Sequence, residues 1–429
     1  MVKGARVASV VTLVALAVGV GLLGSARSAG ALSTDDKPAG LLVWPKIVVD
    51  TSGRFTDGRP EDTLIQLSNT SSALKMAHCF YIDATSHCAN NTAAVCEDAS
   101  DCPNGSGFSA CVSSWSEIDF NVILTRDQPL AWYASQGLSL FDFPVTGPGV
   151  CTTPPGRLCT RDQDCGFPNG HCQLGQTNAG SGIPPVPDDP FKGSLKCIEF
   201  DPTQNPPIPD TTNTLKGEAT FLEALPNGGS ALDVGVDVAK YNAIGLQRLA
   251  GPVTSSTRFQ IGGDTGAEYS ACPRTLILNH LFDHAVDPIA TAEGSVTGFV
   301  HSDLSLVPCG DDFLTQTPGR VTAQFFVFNE FEQRFSTSRT VDCFFHSQLS
   351  RIDTPNSMRS IFNANVAGTI AGQTRIQGVG SAATGRGLLG VARYFVENNE
   401  TSWDASAAYN LHQQGNPNSG TQPDVITTP

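Results

Sequence analysis

Two copies of one cysteine pattern constrain the fold of this chain more than any other feature of its sequence. The first copy has four cysteines with 7, 5 and 8 residues between them, and the second has four with 7, 5 and 6: Cys88, Cys96, Cys102 and Cys111, then Cys151, Cys159, Cys165 and Cys172. In both copies an Asp precedes the third cysteine and a Pro-Asn-Gly follows it. The pattern predicts two disulfide-stapled modules in an oxidising compartment.

These modules contain too few large apolar residues to fold by burial alone. The first offers Val95 and Phe108. A fully buried side chain of this kind contributes about 1.5–3 kcal/mol, whereas ordering each residue costs about 1–2 kcal/mol. Two disulfides per module, worth about 2–4 kcal/mol each, are therefore expected. Four cysteines allow three pairings, and the spacing does not choose among them.

Five further cysteines lie outside the modules. We predict a bridge from Cys79 to Cys197 and another from Cys309 to Cys343, one in each half of the chain. Cys272 is then free or joined to another molecule. For the module cysteines, zinc binding is the alternative, but spacings of this kind in an exported chain favour disulfides.

The N-terminus is typical of a signal peptide. A positively charged start precedes an apolar run at 7–23, and small residues at 29–31 supply a cleavage site. Residues 1–31 are therefore predicted to be removed, so that the mature protein is secreted or held at the cell surface with no membrane span. Because the apolar run is near the length that spans a bilayer, an uncleaved anchor is the alternative.

The mature chain is acidic. Removing Lys3, Arg6 and Arg27 from 26 basic residues leaves 23 against 41 acidic residues, a net charge of −18. Such a charge repels phosphate, so nucleic acid and anionic lipid are not expected partners. A hydrophobic content of 40% is sufficient for two cores in a chain of this length.

The secondary-structure pattern favours strands. Short apolar or alternating runs bounded by Gly, Pro, Asn or Ser recur along the chain without a sustained helical period. We predict an all-β protein of two tandem immunoglobulin-like β-sandwich domains, the first carrying the disulfide-rich insertions. The predicted ranges are 32–250 for the first sandwich, 84–113 and 148–190 for its insertions, 251–413 for the second sandwich and 414–429 for a flexible tail.

Four short motifs occur in the same order in both halves and suggest a tandem duplication. In the first half of the chain the second motif, which begins at Cys79, lies 138 residues before the third, which begins at Gly217. In the second half the corresponding distance, from Cys343 to Gly390, is 47 residues. The modules account for most of this surplus, so we predict that the first copy acquired insertions. The matched motifs are Leu67-Ser68-Asn69 with Val327-Phe328-Asn329, Cys79-Phe80-Tyr81 with Cys343-Phe344-Phe345, Gly217–Leu222 with Gly390–Phe395, and Tyr241-Asn242 with Tyr409-Asn410.

One pair of histidines is a candidate metal site. On a helix, His280 and His284 would share a face and could bind zinc with a third ligand. However, Thr275–Leu278 directly before them has a strand pattern, which favours structural histidines.

Acidic residues of the modules are candidates for calcium. Closely spaced carboxylates bind calcium in extracellular modules, although neither segment matches the Asp-rich twelve-residue calcium loop. Solvated turn acids are the favoured interpretation, so no cofactor is predicted and calcium is the alternative. The candidate ligands are Asp98, Asp101, Asp162 and Asp164.

Catalytic motifs are absent from the sequence, including the Gly-x-Ser-x-Gly elbow and His-Glu-x-x-His. Glu330 and Glu332 alternate with Phe on a predicted strand, so both carboxylates would point to the same face. Paired carboxylates can serve glycoside hydrolysis, but we favour a polar outer face opposite a core of Phe325, Val327 and Phe331.

Five aromatic residues could form a platform on which sugars stack, although packing in the core is the favoured interpretation. They are Trp44, Trp115, Trp132, Tyr133 and Trp403.

Three stretches together resemble uncharacterised, secreted, cysteine-rich proteins of environmental bacteria. They are Leu306–Asp312, Phe328–Ser336 and Ala407–His412, and the resemblance extends over residues 40–413. It implies an extracellular location and carries no activity.

We therefore expect a secreted or cell-surface protein without enzymatic activity, whose stapled modules contact an extracellular protein or polysaccharide. The alternatives are a carbohydrate-binding module, with or without calcium, and a secreted hydrolase that uses His280, Asp283 and His284 or the Glu330 and Glu332 pair.

Overall fold

A computed structural model of the chain describes most residues between Lys37 and Pro429. No helix within the described residues is long and apolar enough to cross a bilayer. The described ranges are 37–55, 58–96, 101–105, 107–138, 149–151, 153, 158–159, 172–173, 182–203, 208–224, 235–249, 257–262, 266–286, 298–380, 385–398, 405–414 and 423–429. The predicted signal peptide lies outside them.

Strands dominate the described residues. Those of the first part are β1 (Leu41–Val49), β2 (Glu61–Asn69), β3 (Lys75–Asp83), β4 (Ser86–Cys88), β5 (Asn91–Val95), β6 (Pro103–Asn104), β7 (Gly107–Phe108), β8 (Cys111–Ser113), β9 (Ser116–Leu124), β10 (Pro129–Tyr133), β11 (Gly149–Cys151), β12 (Leu158–Cys159), β13 (Cys172–Gln173), β14 (Phe191–Asp201), β15 (Ile208–Pro209), β16 (Leu215–Ala224), β17 (Val236–Asn242) and β18 (Ile244–Leu246).

Those of the second part are β19 (Arg258–Ile261), β20 (Thr275–Leu281), β21 (Gly298–Pro308), β22 (Asp311–Asp312), β23 (Arg320–Asn329), β24 (Arg334–Asp342), β25 (Phe345–Gln348), β26 (Ala371–Val379), β27 (Leu388–Asn398), β28 (Ala405–Asn410), β29 (His412–Gln414) and β30 (Asp424–Thr427). Helical structure in the described residues is limited to the 3-10 turns Leu349–Arg351 and Ser357–Arg359 and the one-turn helix α1 (Ala364–Ala367).

The first sandwich packs two sheets around a core that includes Trp44, Tyr81 and Phe221. One sheet has the strand order β18-β1-β14-β3-β9 and the other β10-β2-β16-β17. Along β2, buried and half-buried residues alternate because one face of its sheet meets the core. Every residue of β1 is buried, since both faces of its sheet are covered.

The second sandwich has the same topology. Its sheets have the orders β29-β20-β26-β23-β24 and β25-β21-β27-β28. Each strand has a counterpart in the first sandwich, and the chain enters the two sheets in the same succession. The counterparts are β1 with β20, β2 with β21, β3 with β23, β9 with β24, β10 with β25, β14 with β26, β16 with β27, β17 with β28 and β18 with β29. The predicted all-β sandwich class is confirmed, while the immunoglobulin-like assignment and the duplication stay predictions.

Two of the four matched motifs do not lie on counterpart strands. Gly217 pairs with Leu67 across β16 and β2, and Gly390 pairs with Leu306 across β27 and β21, so Leu306 is the counterpart of Leu67. The match of Leu67 with Val327 on β23 is therefore wrong. The match of Cys79 with Cys343 is also wrong, because Cys79 lies on β3 and Cys343 precedes β25. Short strand motifs recur too easily to establish register without the topology.

A third apolar core joins the sandwiches. It lies on the outer face of the β1 sheet, where Phe80 stacks on Phe313 with ring centroids 4.4 Å apart. Lys196 of β14, 1% exposed, forms an ion pair there with Asp311 and donates to the carbonyl of Pro308 at 2.8 Å. Residues 32–429 form one compact unit, and the predicted domain bounds of 32–250 and 251–413 stay predictions.

The C-terminal segment is part of this third core. Strand β30 lies between β19, its antiparallel neighbour, and β22, its parallel neighbour. Ile426 is wholly buried, and Asp424 accepts a hydrogen bond from the backbone N–H of Gly387 at 2.9 Å. The predicted flexible tail is therefore wrong for residues 423–429. The prediction failed because the segment is polar and Pro/Gly-rich around one short apolar run, whose partners are distant in sequence.

The described residues form four disulfides, which indicate an oxidising compartment. Cys79 is joined to Cys197, as predicted, across adjacent strands β3 and β14. The predicted Cys309–Cys343 bridge is wrong, because Cys309 is joined to Cys272 and Cys343 is a buried free thiol. The chain reverses between β20 and β21, which brings Cys272, before β20, next to Cys309, after β21.

Candidate functional site

Several connections of the first sandwich meet at one end of it, which we call the module end. There Asp83 at the end of β3 pairs with Ser116 at the start of β9 and with Gly193 near the start of β14. The first module occupies the β3–β9 connection, and the second lies in the β10–β14 connection. Rigid strands therefore hold both insertions at the same end, an arrangement typical of binding loops.

The first module is a small stapled sheet. Strands β5, β4 and β8 pair in that order, and β6 and β7 form a hairpin. The bridges are Cys88–Cys102 and Cys96–Cys111, which selects one of the three possible pairings. Its core consists of these cysteines and Ala94. Because so little apolar surface is buried, the disulfides provide most of the module's stability.

The hairpin of the first module carries an exposed aromatic side chain. Gly105 follows β6 in the turn of this hairpin and has a φ of 61°, a left-handed conformation that glycine adopts without strain. Phe108 on β7 is 66% exposed, and Val112 on β8 is 49% exposed. Of the two large apolar residues expected in this module, Val95 is buried and Phe108 faces solvent.

Polar contacts attach the first module to the sandwich. His87 Nε2 lies 3.1 Å from Asp188, and its Nδ1 lies 3.1 Å from the hydroxyl of Ser114. Asp83 accepts a hydrogen bond from the N–H of Thr85 at 2.8 Å. Burial, together with the nearby Asp188 carboxylate, raises the pKa of Asp83 to about 6. These contacts hold the module in one orientation.

A buried ion network joins the two sandwiches near the module end. Arg393 on β27, 2% exposed, pairs with Glu61 of β2, with Glu223 of β16 at 2.7 Å and with Asp237 of β17 at 3.4 Å. Burial, the largest influence, lowers the pKa of Arg393, but these carboxylates together raise it above its ordinary value. Because three carboxylates of the first sandwich converge on one guanidinium of the second, the network sets their relative position.

The second sandwich also contains a Ser-His-Asp arrangement. Ser305 Oγ lies 3.0 Å from His346 Nδ1, and His346 Nε2 lies 3.7 Å from Asp303. Ser305 is 1% exposed, and burial lowers the pKa of His346 to about 3. A general base with so low a pKa is poorly matched to neutral pH, and the hydroxyl is out of reach of a substrate. The arrangement therefore does not favour the hydrolase alternative.

The two candidate zinc ligands do not share a helical face. His280 lies on β20, where its ring nitrogens contact the carbonyl of Leu281 at 3.0 Å and the hydroxyl of Thr374 at 2.8 Å. Burial lowers the pKa of His280 to about 4. His284 lies beyond the strand with a φ of 65°, and Asp283 between them accepts hydrogen bonds from two backbone N–H groups. The helical zinc site considered from sequence is wrong.

Most of the candidate calcium ligands lie outside the described residues: Asp98, Asp162 and Asp164. Asp101 is half-buried beside the module bridges. In the described part of the chain, the one group of potential metal ligands lying close together is Cys88, Cys96 and Cys102. All three sulfurs are in disulfides, so this group has no thiolate to offer a metal. The structure describes the backbone of Cys151, Cys159 and Cys172 but not their side chains, and Cys165 lies outside the described residues, so the bridges of the second module stay predictions.

The predicted strand at 330–332 is a turn. Strand β23 ends at Asn329, whose side-chain oxygen accepts hydrogen bonds from the N–H groups of Phe331 and Gln333. Phe331 is 71% exposed and Glu332 has a φ of 61°. The predicted core position of Phe331 is therefore wrong, and the alternation that would align Glu330 with Glu332 is not formed. Asn329 decides this, because its amide satisfies the turn backbone.

The candidate sugar-stacking residues do not form one platform. Trp44 and Trp132 are buried in the core of the first sandwich, and Trp132 donates to the hydroxyl of Tyr81 at 2.6 Å. Trp115 packs against the third core, while Tyr133 is 41% exposed. Trp403 lies outside the described residues. Core packing, the favoured interpretation, applies to the two central tryptophans.

Comparison of the chain with protein-family models gives no match, and comparison with curated proteins gives none. Sequence reasoning missed the network around Arg393 and the buried lysines Lys46 and Lys196. The signal that could have found them is the placement of single charges inside otherwise apolar strand runs, such as Lys46 within Leu41–Val49.

Proposed function

We propose that this protein is a secreted or cell-surface, non-enzymatic binding protein that contacts an extracellular partner through its stapled modules. The observation that carries the proposal is Phe108, a large aromatic residue 66% exposed on a hairpin held by two disulfides. Aromatic anchors contribute strongly to interfaces, and a rigid anchor loses little conformational entropy on binding.

The surroundings of Phe108 support this role. Val112 adds a second exposed apolar side chain in the same module, and His87 with Asp188 attaches the module to the sandwich. The Arg393 network keeps the scaffold beneath the module end rigid. The oxidising compartment indicated by the disulfides agrees with export, and the predicted signal peptide supplies the route.

The second sandwich provides a matched control for the test. Phe331 lies in the β23–β24 turn, the counterpart of the β3–β9 connection, and is 71% exposed. We would add the mature chain and its Phe108→Ser and Phe331→Ser variants to the extracellular fraction of the producing cells, then identify cross-linked proteins and retained polysaccharide by mass spectrometry. The proposal expects a specific partner lost with Phe108→Ser and kept with Phe331→Ser. Equal retention of all three chains would contradict it.

A further inference from the structure

One sheet face of the second sandwich is open to solvent. Alternate residues of the sheet β29-β20-β26-β23-β24 point away from the core, and Ser336, Arg375 and Gln377 among them are exposed. We call this surface the open face. The counterpart sheet of the first sandwich has its outer face covered by the third core, where Phe80 stacks on Phe313. The two sandwiches therefore leave different surfaces available for contact.

The hydrogen-bonding groups of the open face are mostly uncharged. Cross-strand pairing places amides and hydroxyls side by side, so that Gln324 of β23 lies between Ser338 of β24 and Gln377 of β26. One carboxylate, Asp342, occurs among the outward residues of these five strands, and it pairs with Arg320 at 2.7 Å. Away from that ion pair, the open face offers donors and acceptors without a negative charge.

Two arginines of the open face lie over phenylalanine rings. The guanidinium of Arg334, on β24, lies 4.4 Å from the ring centroid of Phe326. The guanidinium of Arg375, on β26, lies 5.6 Å from the ring centroid of Phe328. Both rings belong to β23 and are two residues apart, so both cations lie over one strand. A stacked guanidinium keeps N–H donors available at its edge for a ligand.

Neither arginine has a carboxylate within ion-pair distance in the described part of the chain. The hydrogen bond that Arg375 makes is weak, from its Nε to the Gln373 side-chain oxygen at 3.3 Å. By contrast Lys240, an exposed cation on the outer face of the β10-β2-β16-β17 sheet, pairs with Glu218. Two cations held over one strand repel each other, and an anionic ligand removes that repulsion.

The open face is positively charged on a chain that is acidic as a whole. Its three arginines and one aspartate give it a formal charge of +2, whereas the whole chain carries −15. A neutral polysaccharide leaves both unpaired arginines without a counter-charge. A nucleic acid carries one charge per about 1.7 Å of duplex, far more than two arginines neutralise, and the rest of the protein repels it. A polymer with many hydroxyls and spaced carboxylates matches the surface best.

We propose that the open face binds an acidic polysaccharide of the polyuronate class, with carboxylates on Arg334 and Arg375 and sugar hydroxyls on the neighbouring amides and hydroxyls. A guanidinium binds a carboxylate through two parallel N–H···O bonds, and charge-assisted bonds of this kind are the strong ones. The modules of the first sandwich take no part in this contact. The proposal is therefore independent of the partner contact assigned to them.

The first test compares three polymers by affinity gel electrophoresis of the mature chain. Polygalacturonate is the polyuronate, its fully methyl-esterified form keeps the sugar backbone without the charge, and duplex DNA is the polyanion without uronate. We expect polygalacturonate to retard the protein at a concentration at least about tenfold lower than either control. Equal retardation by the ester or by DNA, or no retardation by polygalacturonate, would overturn the proposal.

Variants of matched charge assign the contact to the open face. The double variant Arg334→Gln/Arg375→Gln is expected to bind polygalacturonate at least about tenfold more weakly. The control is Arg126→Gln/Lys240→Gln, which removes two cations of the first sandwich whose side chains are 71% and 47% exposed. It should bind as the parent does, and so should Phe108→Ser, which separates this contact from that of the modules. Equal weakening by the two double variants would overturn the proposal, because net charge alone would then govern binding.

Arginine labelling covers the case in which the double variant does not fold. Phenylglyoxal modifies accessible guanidinium groups of the parent protein, and peptide mass spectrometry reports each arginine. Polygalacturonate at about three times its Kd is expected to slow modification of Arg334 and Arg375 about fourfold and to leave that of Arg126 unchanged. Equal modification of Arg334 and Arg375 with and without the polymer would contradict their placement in the contact.

Discussion

The two sandwiches follow the same strand order but differ in the connections between their strands. In the first, the β3–β9 connection holds a stapled module at residues 84–115, whereas in the second the matching β23–β24 connection is a turn at residues 330–333. Both connections expose a phenylalanine, Phe108 and Phe331. The framework therefore tolerates a large insertion at one connection without a change of topology, because β3 is paired on both sides and β9 pairs with β3 along its whole length.

The sandwiches also differ in what their counterpart strands bury. Arg393 on β27 lies three residues after Gly390, and Thr220 on β16 lies three residues after its counterpart Gly217. Arg393 enters an ion network with the first sandwich, whereas Thr220 is a small buried hydroxyl. At this position of the common strand order, Arg393 of the second sandwich therefore connects the two sandwiches, whereas its counterpart Thr220 does not.

The largest expected effect comes from removing this joint. Arg393→Met leaves Glu61 and Glu223 buried without their counter-charge, which should lower the free energy of unfolding by about 3–5 kcal/mol. Thr220→Val, at the counterpart position, should cost less than about 1 kcal/mol. Chemical denaturation of both variants measures the difference. Similar small losses in both would mean that the network does not join the sandwiches.

The third core is tested at the C-terminal strand. Ile426→Ala removes a wholly buried side chain and should cost about 2–5 kcal/mol of stability. Val425→Ala, at the half-buried neighbour on β30, should cost clearly less. Thermal unfolding of the two variants provides the comparison. If Ile426→Ala melts with the parent protein, the segment is a tail as first predicted and not a shared element of both sandwiches.

A pH effect should arise at the same strand. Burial raises the pKa of Asp424 to about 6, so the folded state holds this proton more tightly than the unfolded chain. The proton bound to Asp424 therefore stabilises the folded state by about 3 kcal/mol below about pH 4, and this contribution is lost as the pH rises to about 6.

Asp424→Asn is the corresponding variant. It should unfold at a higher temperature than the parent protein at pH 7 and at a similar temperature at pH 4. Asp127→Asn, at an exposed turn, is the control and should change neither value appreciably. If the unfolding temperatures of the parent protein and the Asp424→Asn variant differ by the same amount at pH 4 and pH 7, the raised pKa assigned to Asp424 is contradicted.

The smallest effect on the whole molecule is expected from the first module. Replacing Cys88 and Cys102 by Ser should unfold the module, as seen by rapid hydrogen exchange, and change the global melting by less than about 0.5 kcal/mol. Replacing Cys79 and Cys197 by Ala, within the first core, should instead cost about 2–4 kcal/mol. Global unfolding of the module variant would show that the module is part of the framework.

Sequence reasoning succeeded where the signal is local. Alternating apolar residues predicted strands such as β2, and the spacing of the cysteines predicted the disulfides that staple the first module. It failed where a local signal was outweighed by a distant contact. The Glu330–Glu332 alternation ends in a turn because Asn329 satisfies its backbone, and Cys309 pairs with Cys272 because β20 and β21 reverse direction between them.

The sequence by itself determined the all-β class and the stapled nature of the first module, since these depend on periodicity, composition and cysteine usage. Only the tertiary structure decided the third core, the place of β30 and the Arg393 network. These contacts join residues far apart along the chain. Their energy comes from burying charge and apolar surface between two sandwiches, which no local pattern records.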